Sequence, residues 1–305
     1  MGLVDRYAPV TDDPDAFRAA CRRPLPTTVR VNGLKTTPAA ATAALADAGV
    51  TTTPCTWSRS VLRLDTESAG GTLPYYLGWI HGQEEVSCLP AHILDPQPGE
   101  TIVDLAAAPG GKATQLADLM DDTGTVIAND VNLGRLSALR HNSERLGVTN
   151  LVVTHQDGRH FSQKPLGSAD AVDRVLVDAP CSCEGTLRKS PHIVAEWDPH
   201  GHRGLQPVQT DLLGRAVEMT RPGGVVVYAT CTFAPEENEA VVDSILSSHP
   251  CSIDTITLPA GLEAAPGLQR YDTMRFDDSL RETIRIYPHQ NDTGGFYVAR
   301  LRVEG

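Results

Sequence analysis

Residues 101–130, TIVDLAAAPGGKATQLADLMDDTGTVIAND, decide the fold. An apolar run over Thr101–Leu105 is followed by a loop of small residues, then a helical segment, then a second apolar run over Thr125–Asp130. Short runs rich in Val and Ile are typical of parallel strands that are buried on both faces. Strand, loop, helix and strand in this order predict one unit of an α/β sheet.

The same alternation continues from about residue 86 to residue 305. It predicts further strands at Leu151–His155, Arg174–Asp178, Gly224–Thr230 and residues 294–302. Three helices are expected between them: one capped by Asn132 and closed by Gly147, one beginning near Pro207, and one beginning at Pro235 with Glu236 and Glu237 in its first turn. The predicted fold class is α/β, a doubly wound Rossmann-like sheet.

Residues 1–85 have a different pattern and predict a separate, smaller unit. Thr27–Val31 and Val61–Leu64 are predicted strands, and Pro38–Ala48 is a predicted helix with Pro at its start and Gly49 after its end. Residues 70–84 form a connector with aromatic side chains. We therefore expect a small N-terminal α+β subdomain over 1–85 and a sheet domain over 86–305.

Composition narrows the class of protein. The 305 residues are 41% apolar and carry a net charge of −12, with four lysines among 26 basic residues. No apolar run approaches the roughly 18 residues of a membrane span, and the first residues lack the apolar core of a secretory signal. We expect a cytoplasmic protein. Net acidity argues against indiscriminate nucleic-acid binding but is compatible with a local basic face.

The loop after the first predicted strand indicates a cofactor site. Ala106, Ala107, Ala108 and Pro109 lead into Gly110-Gly111, which lets backbone amides approach a ligand closely. The pattern is neither the G-x-G-x-x-G fingerprint nor a Walker loop, since Ala113 follows Lys112.

Aspartates at the ends of successive strands support this interpretation. Asp104, Asp130 and Asp157 follow three strands, where Asp130 can accept hydrogen bonds from ribose hydroxyls and Asp157 can reach an adenine amino group. Aspartates in loops usually cap helices or turns, but three beside a double glycine favour a nucleoside ligand. Because the loop lacks a motif that binds pyrophosphate, the predicted cofactor is S-adenosylmethionine.

Cysteines follow two other predicted strands. In Arg174–Cys183, RVLVDAPCSC, Pro180 ends the strand and turns Asp178 and Cys181 towards the cleft, and Cys231 follows the next strand. Taken alone, Cys181 suits a nucleophile beside a carboxylate or a small packing residue, and the two cysteines suit a redox pair.

A metal site at these cysteines is not predicted. Cys181 and Cys183 lack the spacing of a zinc motif and no paired motif follows. His192, His200 and His202 lie nearby in sequence, but histidines of this kind are mostly exposed. Cys183 is expected to be a packing or turn residue.

Several motifs together resemble the Sun-type family of RNA cytosine-5 methyltransferases. The resemblance covers nearly the whole chain and suggests an archaeal-type member. Its motifs are VRVNGLK at 29–35, DLAAAPGGK at 104–112, DAPCSCEGT at 178–186, ATCT with PEENE over 229–239, and PHQNDTGGFYVA at 288–299. Two positions depart from the family pattern: Ala106 stands where cysteine is frequent, and Cys183 where glycine is frequent.

The resemblance implies a mechanism. Cys231 would add to carbon 6 of cytosine, which makes carbon 5 nucleophilic towards the cofactor methyl group. Cys181 would assist breakdown of the covalent adduct, and Asp178 would bond to the N3 region of the base, as a donor only if its pKa is raised. Lys112 is expected to contact Asp178 or the cofactor. Arg135 either reaches the cofactor or forms an ion pair on its own helix.

RNA is the implied substrate, with tRNA expected and rRNA as the alternative. A catalytically inactive RNA-binding protein is a rival interpretation, as is a DNA cytosine methyltransferase, in which the Cys181 position would be the nucleophile. We expect a monomer. Candidate RNA contacts are a basic strip (Arg22, Arg23, Arg30, Lys35, Arg188, Lys189) and stacking aromatics (Tyr75, Tyr76, Trp79).

Overall fold

The computed structural model describes residues 2–162 and 172–305. Its helices are α1 (Leu3–Tyr7), α2 (Pro14–Cys21), α3 (Pro38–Asp47), α4 (Leu73–Tyr76), α5 (Leu89–Leu94), α6 (Gly111–Leu119), α7 (Leu133–Leu146), α8 (His192–Glu196), α9 (His202–Met219), α10 (Glu239–Ser248) and α11 (Pro288–Asn291). No helix within these two ranges is both long and apolar enough to span a bilayer.

The strands fall into three sheets. They are β1 (Thr27–Val31), β2 (Thr52–Pro54), β3 (Val61–Leu64), β4 (Ile80–Gly82), β5 (Thr101–Asp104), β6 (Thr125–Asn129), β7 (Leu151–Thr154), β8 (Val172–Asp178), β9 (Thr220–Thr230), β10 (Cys251–Ile253), β11 (Ala265–Pro266), β12 (Arg270–Tyr271), β13 (Met274–Arg275), β14 (Ile284–Ile286) and β15 (Phe296–Val303).

The large sheet has the order β11-β14-β15-β9-β8-β5-β6-β7, with β10 beside β15. Strands β5 to β9 pair in parallel, and β15 pairs antiparallel with β9. After β7 the chain returns to the other side of β5, so the strand order reverses between β5 and β8. Ligands bind at this switch point in open α/β sheets. The predicted Rossmann-like class is confirmed.

Alternation along the strands fills two apolar layers. On β9, Val225, Val227 and Ala229 belong to the layer under α5, α6 and α7, whereas Val226 and Tyr228 belong to the layer under α9 and α10. Because both faces of a central strand are covered, its sequence is apolar without interruption. This explains why the strand was recognisable from its sequence.

The predicted N-terminal α+β subdomain is confirmed. Its antiparallel sheet has the order β2-β3-β1-β4, and α3 packs on one face through Ala41 and Leu45. The connector supplies β4, which pairs with β1. Helices α1 and α2 instead pack on the large domain, where Phe17 contacts the rings of Phe233 and Tyr287. The boundary near residue 85 stays a prediction.

Two helix starts differ from expectation. Helix α9 begins at His202, so Pro207 lies inside it. Helix α10 begins at Glu239 rather than Pro235, because Glu237 is held by other partners. Its carboxylate accepts hydrogen bonds from the Ser182 amide (3.0 Å) and the Gln209 side chain (2.8 Å). The predicted first turn is therefore a buried turn that supports the loop after β8.

Candidate active site

The loops that follow β8 and β9 bring Cys181 and Cys231 together. These strands are parallel neighbours with Asp178 opposite Ala229, so the two loops start at the same height. The Sγ atoms of Cys181 and Cys231 lie 3.4 Å apart. The expectation that both cysteines reach one cleft agrees with this geometry.

A buried network locks the two loops to each other. The hydroxyls of Ser182 and Thr232 lie 2.7 Å apart, and Thr232 donates to Glu184 at 2.9 Å. The Gly185 amide donates to the Cys231 carbonyl at 2.8 Å. Gly185 fits here because an added Cβ would lie 2.3 Å from the carbonyl oxygen of Gly295. The thiols are thus held by rigid backbone rather than by mobile side chains.

Hydrogen bonds among three thiols set their protonation. Cys183 joins the pair, and the Sγ atoms of all three cysteines lie within 4.8 Å of one another. Hydrogen bonds from Cys181 and Cys231 lower the pKa of Cys183. Hydrogen bonding to its two neighbours, together with burial, raises the pKa of Cys181. At Cys231 the bond from Cys181 favours the thiolate, but the bond to Cys183 and burial raise its pKa overall.

Lys112 makes the predicted contact with Asp178. Its Nζ lies 2.7 Å from Asp178 Oδ2 and 3.0 Å from Ser87 Oγ, and also 5.6 Å from the centre of the Phe296 ring. Burial acts to lower the pKa of Lys112, but the Asp178 carboxylate outweighs it and raises the pKa. In this ion pair the ammonium is the hydrogen-bond donor and the carboxylate the acceptor.

Asp130 organises the loop after β5. Its Oδ2 accepts a hydrogen bond from the Ala108 amide at 3.1 Å, and its Oδ1 accepts one from the Asn132 amide at 2.8 Å. The Arg135 side chain donates to the Ala108 carbonyl and lies 3.6 Å from Asp130. Gly110 adopts a φ of 103° where the loop enters α6, a conformation that only glycine takes at low cost. Arg135 therefore reaches the predicted cofactor loop.

A cavity of about 500 Å³ opens beside this loop. The predicted site residues that line it are Ala106, Asp130, Arg135, Asp157, Asp178, Cys181 and Cys231. Arg159 also lines it and was missed, although it follows Asp157 by two residues. It forms a two-pronged ion pair with Asp157, and this hydrogen bonding lowers the pKa of Asp157.

The chemistry of this cavity fits a nucleoside. Three of its carboxylates come from Asp130, Asp157 and Asp178. Next to its wall, Asp104 is 1% exposed, and neither of its oxygens has a hydrogen-bond partner of good geometry within residues 2–162 and 172–305. Burial, and then the charge of Asp178, raise the pKa of Asp104 to about 8. Asp130, Asp157 and Asp178 each lie beside a cationic side chain, from Arg135, Arg159 and Lys112 respectively. The cavity therefore offers carboxylate oxygens as hydrogen-bond acceptors for the ribose hydroxyls and the amino groups of S-adenosylmethionine.

A second, smaller cavity of about 160 Å³ lies on the other side of the ion pair. Lys112, Ser87, Glu84, Lys189 and Phe296 line it, among others. Asp178 and Cys231 are the two residues that line both cavities in the part of the chain that the structure describes. Sequence reasoning missed Glu84, Ser87 and Phe296 because they lie in the connector, after it, and in the last strand, far from the cysteine motifs.

A third depression of about 540 Å³ continues from this second cavity. Leu25, Glu84 and Lys189 line both, and the depression extends along β1 and the connector to Tyr75. Lys189 is exposed here. The N-terminal sheet and the large domain thus form one continuous groove that ends beside Cys231.

Two members of the predicted basic strip are structural. Arg30 is 2% exposed and binds Asp118 (3.0 Å) and Gln83 (3.0 Å). Arg188 is 5% exposed and donates to backbone carbonyls of Thr293 and Pro24, among others. The planar guanidinium of each is already used to join chain segments. Arg30 is therefore unavailable as an RNA contact and that prediction is wrong, whereas Arg188 also lines the depression along β1 and its contact with RNA stays a prediction.

The other members of the strip keep exposed charge. Arg22, Arg23 and Lys189 are exposed. Lys35 is exposed as well, but its ammonium donates to the carbonyls of Leu77 and Arg145. Among the aromatics, Tyr76 is exposed, whereas Tyr75 stacks under Arg145 with its ring centre 4.1 Å from the guanidinium carbon.

Comparison with known proteins agrees with this architecture. A family model described as 16S rRNA methyltransferase RsmB/F matches residues 91–302, and one for the ferredoxin-like domain of RsmF/B-like methyltransferases matches residues 10–69. The chain is 36% identical to the tRNA (cytosine(49)-C(5))-methyltransferase of Pyrococcus abyssi, over 98% of this chain and 95% of that protein. It is 37% identical to ribosomal RNA small subunit methyltransferase F of Escherichia coli, of which it spans 59%.

Solved structures have the same fold. A methyltransferase homologue from Pyrococcus horikoshii is 32% identical and superposes with a TM-score of 0.84, over 98% of this chain and 93% of that one. NSun6 from the same organism, solved with SFG, is 22% identical with a TM-score of 0.84 over 100% and 98% of the two chains. The chain therefore belongs to the RsmB/F, or Sun-type, family of S-adenosylmethionine-dependent RNA cytosine-5 methyltransferases.

Proposed function

We propose that this protein methylates carbon 5 of a cytosine in tRNA. The observation that carries the proposal is the shared wall of the two cavities. A cofactor in the larger cavity and a cytosine in the smaller one would meet at Asp178 and Cys231. A base enters so small a pocket only when it has left its stack.

The side chains at that wall divide the work. Cys231, as a thiolate, adds to carbon 6 of the cytosine and makes carbon 5 nucleophilic. Lys112 and Asp178 hold the polar edge of the ring as charge moves onto it. Bound S-adenosylmethionine supplies the electrophilic methyl group. Cys181, 3.4 Å from the nucleophile, is positioned to assist when the Cys231–carbon 6 bond breaks after carbon 5 has lost its proton.

The cofactor is held by the loop after β5 and by the carboxylates around it. Ala106 and Asp157 line its cavity, and Asp130 fixes the loop backbone. Residues Ala107, Ala108, Pro109, Gly110 and Gly111 connect Ala106 to the start of α6, and Arg135 on α7 donates a hydrogen bond to the Ala108 carbonyl of this loop. Among the residues predicted to bind the cofactor, Ala106, Asp130, Arg135, Asp157 and Asp178 line the cavity, whereas Ala107, Ala108, Pro109, Gly110, Gly111 and Lys112 do not, and the cofactor role of this second group stays a prediction.

The groove along β1 is the proposed path of the RNA strand. Exposed Lys189 marks the point where the groove meets the cytosine pocket, and Arg22 and Arg23 add positive charge nearby in sequence. Transfer RNA is favoured over rRNA because the tRNA enzyme of Pyrococcus abyssi matches this chain over almost its full length. Since one chain builds both cavities, we propose that a monomer acts, in the cytoplasm where tRNA is available.

The proposal is tested with radiolabelled cofactor and separate pools of tRNA, rRNA and DNA. Wild-type protein should label cytosine in tRNA, Cys231→Ala should label nothing, and Cys181→Ala should leave RNA covalently attached to protein after denaturation. Cys251→Ala, a buried cysteine on β10, is the matched control and should behave as wild type. Normal activity of Cys231→Ala would refute the mechanism, and labelling of rRNA alone would refute the substrate.

A further inference from the structure

The three thiols beside the cytosine pocket have the geometry of a metal-binding cluster. Every pair of Sγ atoms among Cys181, Cys183 and Cys231 is within 4.8 Å, and the Cys181–Cys231 pair is at 3.4 Å. Three thiolates around one Zn²⁺, each at about 2.3 Å in tetrahedral geometry, lie about 3.8 Å from one another. Small side-chain rotations would therefore close the cluster on a cation.

Cys183 is the member of the cluster that methyl transfer does not require. It stands where the family often has glycine, and its φ of 58° is in the left-handed region that glycine prefers. A side chain in that conformation costs about 1 kcal/mol. Here it directs a thiol to the Cys181 carbonyl, at 3.3 Å, and to the other two sulfur atoms. Cys183 thus adopts an unfavourable backbone conformation, and its side chain adds a third sulfur ligand to the cluster.

The chemistry of the cluster also favours a cation that binds sulfur. All three thiols line one cavity, and the thiolate is the form of cysteine that binds metals. Because Lys112 already pairs with the neighbouring Asp178 carboxylate at 2.7 Å, the affinity for a cation comes from the three sulfur atoms, which bind thiophilic metals strongly as thiolates.

We propose that Cys181, Cys183 and Cys231 together bind one thiophilic cation of the Zn²⁺ class, with its fourth position open to the cofactor cavity that all three line. Binding converts each protonated thiol to a thiolate and releases its proton to solvent. The sulfur of Cys231 cannot ligate the metal and attack cytosine at once. The cation therefore acts as a reversible inhibitor, and this goes beyond the proposed methyl transfer.

The binding test uses Cd²⁺ with the full, chelator-treated chain under anaerobic conditions. Wild-type protein should bind one equivalent and develop an ultraviolet thiolate-to-cadmium absorption band, which an excess of chelator abolishes, and protein loaded first with one equivalent of Zn²⁺ should release that Zn²⁺ when Cd²⁺ is added. Cys183→Gly, which suits the left-handed backbone, should bind about a hundredfold more weakly, because the loss of even a residue that only supports a ligand costs 10–100-fold in affinity. Cys251→Ala should bind as wild type. Equal affinity of Cys183→Gly and wild type would overturn the proposal.

An activity test follows the same variants. Zn²⁺ should inhibit methyl transfer by wild type, a chelator should restore it, and Cys183→Gly should stay active at Zn²⁺ concentrations that stop wild type. If wild type transfers no methyl group, the binding result still decides the metal site, so the two proposals fail separately. If chelator does not restore activity but a thiol reductant does, the cluster forms a disulfide instead and the metal proposal is wrong.

Discussion

Replacing Asp104 by asparagine should change how stability depends on pH. The carboxyl group lies at the end of β5, 1% exposed, and burial followed by the charge of Asp178 raises its pKa from 3.8 to about 8. A carboxyl group whose pKa is raised by folding stabilises the protein fully below its unfolded pKa, and that stability is lost as the pH rises towards the folded pKa. The side-chain amide of the Asp104→Asn variant has no such titration.

The magnitude follows from the shift. Each pKa unit corresponds to about 1.4 kcal/mol, so wild type loses about 1.4 kcal/mol of unfolding free energy per pH unit between about pH 4 and about pH 8 through this group. Between about pH 5.5 and about pH 7.5, the stability of Asp104→Asn relative to wild type should therefore rise by about 3 kcal/mol. Groups that titrate alike in both proteins cancel in this difference.

The assay is urea unfolding at the two pH values, followed by circular dichroism, without cofactor. Asp157→Asn is the matched control, because its hydrogen bonds to Arg159 lower the pKa of Asp157 below 3.8 and it does not titrate in this range. The control should show a difference from wild type that is independent of pH. If the difference for Asp104→Asn is equally flat, Asp104 is ionised in the folded protein and the account of its burial is wrong.

Four further variants or measurements test other parts of the structure. Arg30→Ala should lower the free energy of unfolding by about 3–5 kcal/mol, since Asp118 loses its buried partner, yet leave the salt dependence of RNA binding unchanged in a titration. Lys189→Ala should keep wild-type stability but reduce the slope of log affinity against log salt by about 1. Gly185→Ala should cost about 3 kcal/mol in urea unfolding, because the new Cβ meets a backbone carbonyl at 2.3 Å. In wild-type protein, alkylation of Cys231 followed by peptide mass spectrometry should accelerate as the pH rises above 9, because the bond to Cys183 and burial raise the pKa of this thiol, and a rate that does not change with pH would contradict a thiol protonated at neutral pH.

The large sheet was predictable because its signals are local. Strands β5, β6 and β8 are buried on both faces, so their apolar runs do not depend on what packs against them, and their ends are marked by Asp104, Asp130 and Asp178. Short strands escaped prediction for the opposite reason. Strand β14 is three residues long, Ile284–Ile286, and exists because it pairs with β15. This pairing depends on tertiary contacts, which a pattern of three residues does not reveal.

The burial of Arg30 and Arg188 could not be predicted because charge alone does not report burial. Arg30 lies on β1, where it shares a face with Thr28, and a polar residue at each of these alternating positions is typical of the exposed face of a strand. In the folded chain that face packs against α6. The Arg30 guanidinium donates hydrogen bonds to Asp118 and Thr114 of this helix and so links the N-terminal sheet to the large domain. Arg188 is likewise buried by segments from both ends of the chain. Arginine is well suited to such joints, and an acidic chain with few lysines contains many candidates.

The thiol cluster shows why spacing along the chain does not reveal which cysteines meet in the fold. Cys183 and Cys231 are far apart in sequence, so no zinc motif links them. The register of the sheet links them instead: Asp178 pairs with Ala229, and the chain then runs three residues to Cys181 and two residues to Cys231 at the same edge. The thiols of Cys181 and Cys183 therefore lie beside that of Cys231. Residues that lie a few positions beyond the ends of two paired parallel strands become neighbours in space. The sequence contributes the last element, because Cys183 adds a third sulfur atom to this site where glycine would add none.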